Sequence, residues 1–195
     1  QKLASKRFRS TSENARALGH NIANLVIEAV TGTPGIFGTK LAAVGSKSGN
    51  KEIYAMDLDG RAVTPVTRNG AINLSPAWSP DGTRIAFASN RSGEWDLYVL
   101  NVEHALDNAR DDALQLTDDD FQDEAPAWSP DGRWIYFVSG NVAASELDLW
   151  RIDASGGRPE RLTTHDSEVG YPSPIDERTV VYIARDKDGA GPWLW

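Results

Sequence analysis

The residues best placed to do chemistry are those of the run Asp118-Asp-Asp-Phe-Gln-Asp-Glu124, where five carboxylates fall within seven positions. Carboxylates at this density can hold a cation, present a face to a basic partner, or simply keep a loop solvated. Two shorter acidic stretches, Asp57-Leu-Asp-Gly60 and Asp186-Lys-Asp-Gly189, place their acids two apart. That spacing departs from a helix-loop-helix calcium loop, and Asp-Gly is the chemistry of a tight hairpin turn, so both read as turns. Gly45-Ser-Lys-Ser-Gly49 has Lys47 where a nucleophile elbow needs serine, and it is too short for a phosphate loop. His20, His104 and His165 fall on a helix, in an insertion and in a loop, and none pairs with acids at metal-ligand spacing. No Ser/His/Asp set stands out. The chain is therefore read as non-enzymatic and without a cofactor. Calcium is left open, with Asp123 or Glu124 as a donor, although no ligand spacing demands it.

Composition narrows the classes of partner. A net charge of -8 over 195 residues argues against nucleic acid and anionic membrane surfaces. Cysteine is absent, which excludes a disulfide scaffold and a catalytic thiol. No apolar run is long enough to span a bilayer as a helix. No leader-like segment opens the sequence, so it reads as a mature protein or a piece of one.

The elements that must position these side chains announce themselves by repetition. Ser75-Pro-Ala-Trp-Ser-Pro-Asp-Gly82 returns as Ala125-Pro-Ala-Trp-Ser-Pro-Asp-Gly132 with only its first residue changed, and a worn copy follows at Tyr171-Pro-Ser-Pro-Ile-Asp176. Each phrase reads as a strand end entering a type I turn, with Pro80 and Pro130 at the second position, Asp81 and Asp131 at the third, and a closing glycine. The strands that follow repeat as well: Arg84 to Ser89 matches Trp134 to Ser139 and Thr179 to Ala184. Asp96 to Leu100 matches Asp148 to Ile152 and Glu52 to Met56, and threonines close the short segments ending at Thr67, Thr117 and Thr163. A period of about 45 residues carrying four short strands is the signature of a propeller blade. The middle copy is stretched by a polar insertion, Asn101 to Ala113, expected between the second and third strands of its blade as a short helical turn on the outer edge.

Ahead of the repeats, residues 12–30 predict a helix capped by Thr11 or Ser12, with Glu13 in its first turn. Ala15, Leu18, Ile22, Leu25, Val26 and Ala29 would form its buried face, and Thr31-Gly-Thr-Pro-Gly35 would end it. His20 is expected to pack rather than ligate. Residues 1–11, basic and polar around Leu3 and Phe8, read either as a strand end or as a solvated tail. The expected fold is all-β: about three and a half four-stranded blades of a propeller over residues 37–195, preceded by one helix within residues 1–36, the remnant of an N-terminal α/β domain. Propellers close with four to eight blades, so the sequence reads as part of a longer chain, or as one that assembles with a second copy.

The phrase Pro-Ala-Trp-Ser-Pro-Asp-Gly, followed by Ile-Ala-Phe-x-Ser-x-Arg at Ile85 to Arg91, resembles the blade signature of TolB-type propellers. The stretch from Ala17 through Val30-Thr-Gly-Thr-Pro-Gly-Ile-Phe37 to Val44 is similar to that family's passage from its N-terminal domain into the first propeller strand, and Phe8 and its neighbours match the strand before. This resemblance implies a six-bladed propeller and a periplasmic binding module of the Tol–Pal cell-envelope system, docking the lipoprotein Pal. TolA contact would use a segment missing here. It also implies a contact surface just ahead of the repeated phrase. The matching positions are Gln122 and Ala125, with Glu168 before the worn copy; Asn73 and Leu74 occupy the equivalent loop before the first copy, and Asp123 and Glu124 lie between. Gln122 departs from the histidine of the family prototype. The alternative is the propeller of a prolyl-oligopeptidase-like serine peptidase whose catalytic domain lies elsewhere, since such enzymes share the blade phrase.

Overall fold

The computed structural model describes residues 11, 14–108, 112–141, 146–164, 167–186 and 193–194. The chain divides into two compact units, residues 1–41 with 55–63, and residues 42–54 with 64–195. The predicted reading of residues 1–10, the cap at Ser12, Glu13, His165 and the Asp-Gly turn near residue 188 lie outside the described residues.

The first unit carries α1 (Ala15–Thr31). Its N-cap is Asn14, which makes no side-chain capping bond. It ends where the glycine demands: Gly32 takes a left-handed φ of 74° and its N–H donates to the Glu28 carbonyl at 2.9 Å. The predicted apolar face is only half covered. Leu18 and Leu25 are half-buried, but Ile22 and Val26 remain 40% and 57% exposed, and no residue of α1 is fully buried. Polar contacts hold the helix instead. Asn24 exchanges hydrogen bonds with the backbone of Phe37, donating at 2.5 Å and accepting at 2.8 Å. Arg16 reaches Asp59 at 2.6 Å and Asp57 at 2.7 Å, while Lys40 meets Asp57 at 2.9 Å. His20 packs on Phe37 with ring centroids 6.1 Å apart. Asp57-Leu-Asp-Gly60 is the expected turn, closed by the Gly60 N–H on the Asp57 carbonyl at 2.8 Å, and its carboxylates serve the cations of Arg16 and Lys40.

The repeats form four antiparallel meanders. The first sheet orders β1 (Lys40–Gly45), β2 (Glu52–Asp57) and β3 (Thr64–Pro65). The second orders β4 (Asn73–Trp78), β5 (Arg84–Ser89), β6 (Asp96–Asn101) and β7 (Leu114–Gln115); the third, β8 (Gln122–Trp128), β9 (Trp134–Asn141), β10 (Glu146–Asp153) and β11 (Glu160–Arg161). The fourth holds β12 (Ser167–Pro174), β13 (Val180–Asp186) and β14 (Trp193–Leu194). Strands joined in sequence order to their neighbours, four to a full sheet, make propeller blades. The insertion does form a helix, α2 (Val102–Asn108), anchored by buried Val102 and Ala105. It lies between the third and fourth strands of its sheet rather than the second and third, because the phrase strand β4 counts as the first.

Packing joins the blades. Between the second and third, Ala86, Ala88, Leu97, Val99 and Leu116 meet Trp128, Ile135, Phe137 and Ile152. Between the third and fourth, Tyr136 and Leu149 meet Val169. The phrase turns are as predicted and nearly superimpose in their bonding. Gly82 and Gly132 donate to the carbonyls of Ser79 and Ser129 at 2.9 Å, each with φ near +70°. Inside each turn the serine hydroxyl donates to the aspartate, at 2.6 Å for Ser79–Asp81 and 2.5 Å for Ser129–Asp131. A second repeated device clasps the outer strands. The hydroxyls of Thr67, Thr117 and Thr163 accept from the backbone N–H of Ile53, Leu97 and Leu149 at 2.8, 2.9 and 2.9 Å. Thr67 and Thr163 also donate to Glu52 at 2.5 Å and to Asp148 at 2.8 Å, so the acid that opens each repeated segment is fastened to its threonine.

Candidate functional site

Strands β4, β8 and β12 carry the phrase, and each breaks its pairing register at the same place. The ladders skip between Leu74 and Ala77, between Glu124 and Ala127, and between Gly170 and Ser173. The residue that causes the skip takes a left-handed backbone: φ is 52° at Ser75, 50° at Ala125 and 52° at Tyr171. A β-bulge seats two residues opposite one and bends the strand, and the proline that follows supplies no ladder N–H. The bulged residue is the one position that differs between the two full copies of the phrase, and it differs again in the worn copy. Ser75 is exposed, Ala125 half-buried and Tyr171 77% exposed.

Around these bulges the predicted residues divide by strand parity, since successive side chains face opposite sides. Glu124 and Glu168 are exposed, and Leu74 and Gln122 are half-buried. With Ala125 they form an edge of small, apolar, amide and acidic groups ahead of the phrase. Asn73 and Asp123 do not belong to that edge, which corrects their assignment as contact residues: both are 0% exposed. The Asn73 amide donates to Glu52 at 3.0 Å and to the Lys51 carbonyl at 3.1 Å, bonds internal to the blade junction. Asp123 and Glu124 also point to opposite faces, so they cannot clasp one ion together. Among the described residues, no group of three or more His, Cys, Asp or Glu converges in a way that could hold a metal. Asp118, Asp119 and Asp120 are exposed beside this edge and give it negative charge.

Two residues of the edge were not singled out by sequence reasoning, Ser75 and Tyr171. The signal was present, for they align with Ala125 at the variable head of the phrase. Tyr171, with Glu168, Gly170, Ile183 and Arg185, lines a depression of about 240 Å³. What the arrangement offers is a repeated display of outward side chains on rigid strands, suited to recognition.

A family model described as the TolB beta propeller domain matches residues 26–109. The Tol-Pal system protein TolB of Desulfosudis oleivorans is 40% identical over 100 residues, a stretch covering 51% of this chain and 23% of that protein. The putative TolB of Agrobacterium tumefaciens superimposes with a TM-score of 0.66 at 26% identity, over 79% of this chain and 53% of that one. TolB from Acinetobacter baumannii superimposes at 0.70 and 21% identity, so this chain, covered in full, spans half of that structure. The blade phrase, the passage from α1 into β1 and these likenesses show a β-propeller fold that is similar to TolB over the matched residues, with the chain spanning about a quarter of the curated relatives and about half of the solved structures.

Proposed function

We propose that this chain is part of a non-enzymatic periplasmic module of the Tol–Pal system, whose propeller docks the lipoprotein Pal and so helps maintain the outer membrane. The observation that carries the reading is the bulge repeated at Ser75, Ala125 and Tyr171, which aims equivalent side chains from successive blades along one edge. The names of the matched relatives support the system, and the edge's chemistry supports a protein partner. Small Ala125 allows close approach, while Glu124 and Glu168 would steer a basic surface toward it. Within this reading Leu74, Ser75, Gln122, Glu124, Ala125, Glu168 and Tyr171 form the contact, and Asn73 and Asp123 support it from beneath.

Ala125→Arg tests the surface. The left-handed backbone is already occupied by a residue with a Cβ, so arginine adds bulk outside the fold without new backbone strain. Calorimetric titration against the cognate Pal lipoprotein should show binding reduced at least tenfold, with an unchanged thermal midpoint. Full affinity in a folded variant would remove this edge from the interface.

A further inference from the structure

The position two residues ahead of each bulge is buried in all three phrase strands, and its occupant changes from an amide to a carboxyl to an apolar group: Asn73, Asp123, Val169. Each sits near an acid of the preceding blade. At the first junction Glu52 is answered by the Asn73 amide, the Thr67 hydroxyl and the Gly70 N–H. At the third, Asp148 accepts from Thr163 and pairs with Arg161, and the neighbouring Leu149 packs on Val169.

The second junction alone sets acid near acid. The Asp123 N–H donates to the carbonyl of Trp95, beside Asp96, at 2.9 Å, and Asp96 is only 1% exposed. Asp96 accepts from Ser92 at 2.5 Å and Gln115 at 3.0 Å through Oδ2, while its Oδ1 has no donor. Neither oxygen of Asp123 has a hydrogen-bond partner; the hydroxyls of Ser139 and Thr117 lie close but out of bonding geometry. The charged groups nearby are mostly of the same sign. Asp118 and Asp119 stand on the connecting loop and Asp96 on β6, where the Tyr98 hydroxyl is also buried without a partner. The adjacent cation, Arg91, lies 4.4 Å over the Tyr98 ring and donates to Asn73 at 3.2 Å. An ionised carboxylate in such a place lacks both water and counter-charge.

We propose that the junction between the second and third blades is a pH-sensitive joint, closed while Asp123 is a neutral carboxylic acid and loosened when it ionises. Its sister positions carry an amide and a valine, and the protonated acid is the form of aspartate that resembles them. Burial, reinforced by Asp119 and Asp96, raises its pKa from 3.8 to about 7. The sign follows from proton linkage: the folded state keeps a proton that the unfolded chain releases near 3.8, so stability falls as pH rises from there to about 7, then levels off.

The test is the thermal midpoint of the wild type and of Asp123→Asn at about pH 5, 6, 7 and 8. The wild type should lose stability relative to the variant across this range, with the two close at the acid end and the variant higher at the alkaline end. Parallel profiles would overturn the joint. So would calcium at the alkaline end rescuing the wild type but not the variant, because a cation would then be the missing counter-charge. Should Asp123→Asn fail to fold, carboxyl ¹³C NMR of the aspartate-labelled wild type decides. One resonance titrating near neutrality is expected, and titration of every aspartate in the ordinary acid range would refute the proposal.

Discussion

Trp128 ties two blades together in three ways, and its removal should be the most damaging single truncation at the second junction. The ring is 7% exposed within the cluster that joins the second and third blades. Its Nε1 donates to the Ala77 carbonyl of the preceding blade at 3.0 Å, and the Arg84 guanidinium lies 4.5 Å over the ring. Truncating a buried tryptophan to alanine costs about 3–5 kcal/mol through lost transfer energy and the cavity left behind. The hydrogen bond accounts for about 1 kcal/mol of such a loss, and the cation–π contact for about 0.5–1 kcal/mol. For a chain of this size each kcal/mol moves the thermal midpoint by about 2–4 °C, so Trp128→Ala should lower it by roughly 6–20 °C. Trp78 provides the internal control. It occupies the same place in the phrase but is only half-buried, and its indole N–H finds no acceptor. Trp78→Ala should therefore cost clearly less, and Trp128→Phe should fall between the two alanine variants. Differential scanning calorimetry of the three variants decides the matter. A Trp128→Ala midpoint within a few degrees of the parent, or above that of Trp78→Ala, would refute the assignment of the ring as the wedge between blades.

The phrase turns should govern the acid limb of stability. The Ser79 hydroxyl and the Thr83 N–H and hydroxyl hold the Asp81 pKa down at about 2, and Ser129 and the Arg133 N–H lower that of Asp131. A depressed carboxyl stabilises above its unfolded value of 3.8 and loses that contribution as pH falls through the folded one. The pair Asp81→Asn and Asp131→Asn should flatten the stability profile below about pH 4, and an unaltered acid limb in circular dichroism melts would contradict this. Thr163→Val keeps the shape of the outer-strand clasp but leaves the Leu149 N–H without an acceptor and takes a donor from Asp148. The expected loss is about 1–3 kcal/mol in urea unfolding, and a loss under about 0.5 kcal/mol would mean that the clasp is ornamental.

The repeated turns were readable because Ser-Pro-Asp-Gly is local chemistry: the bonds that close each turn, from the serine to the aspartate, the glycine and the strand that follows, lie within six residues. The meander order was readable for the same reason, since a repeat of short strands leaves few other ways to bury its alternating faces. What escaped was decided across blades. Asp123 reads as one more member of an acidic loop, and only the register of β8 turns it inward while Glu124 turns out. Asn73 was misread in the same way, because its hydrogen bonds run to Lys51 and Glu52 of another blade. The stripe on α1 has helical spacing, yet spacing cannot say what covers it, and Val26 stays 57% exposed. Nor does a threonine at the end of a short outer strand reveal that its hydroxyl will fasten an acid some fifteen residues upstream.

The left-handed residue in each phrase strand has a consequence for how such a surface can change. Serine, alanine and tyrosine hold φ within 2° of one another there, so the surrounding strand, not the side chain, dictates the backbone. Whatever strain the position carries is already met by the fold for side chains unbranched at Cβ, whereas proline and the β-branched residues would add to it. Exchanging one such residue for another therefore alters the surface while leaving the scaffold's free energy nearly untouched. Positions 75, 125 and 171 behave as interchangeable sockets, and a library varied at these three sites alone could be selected for new partners without redesigning a blade.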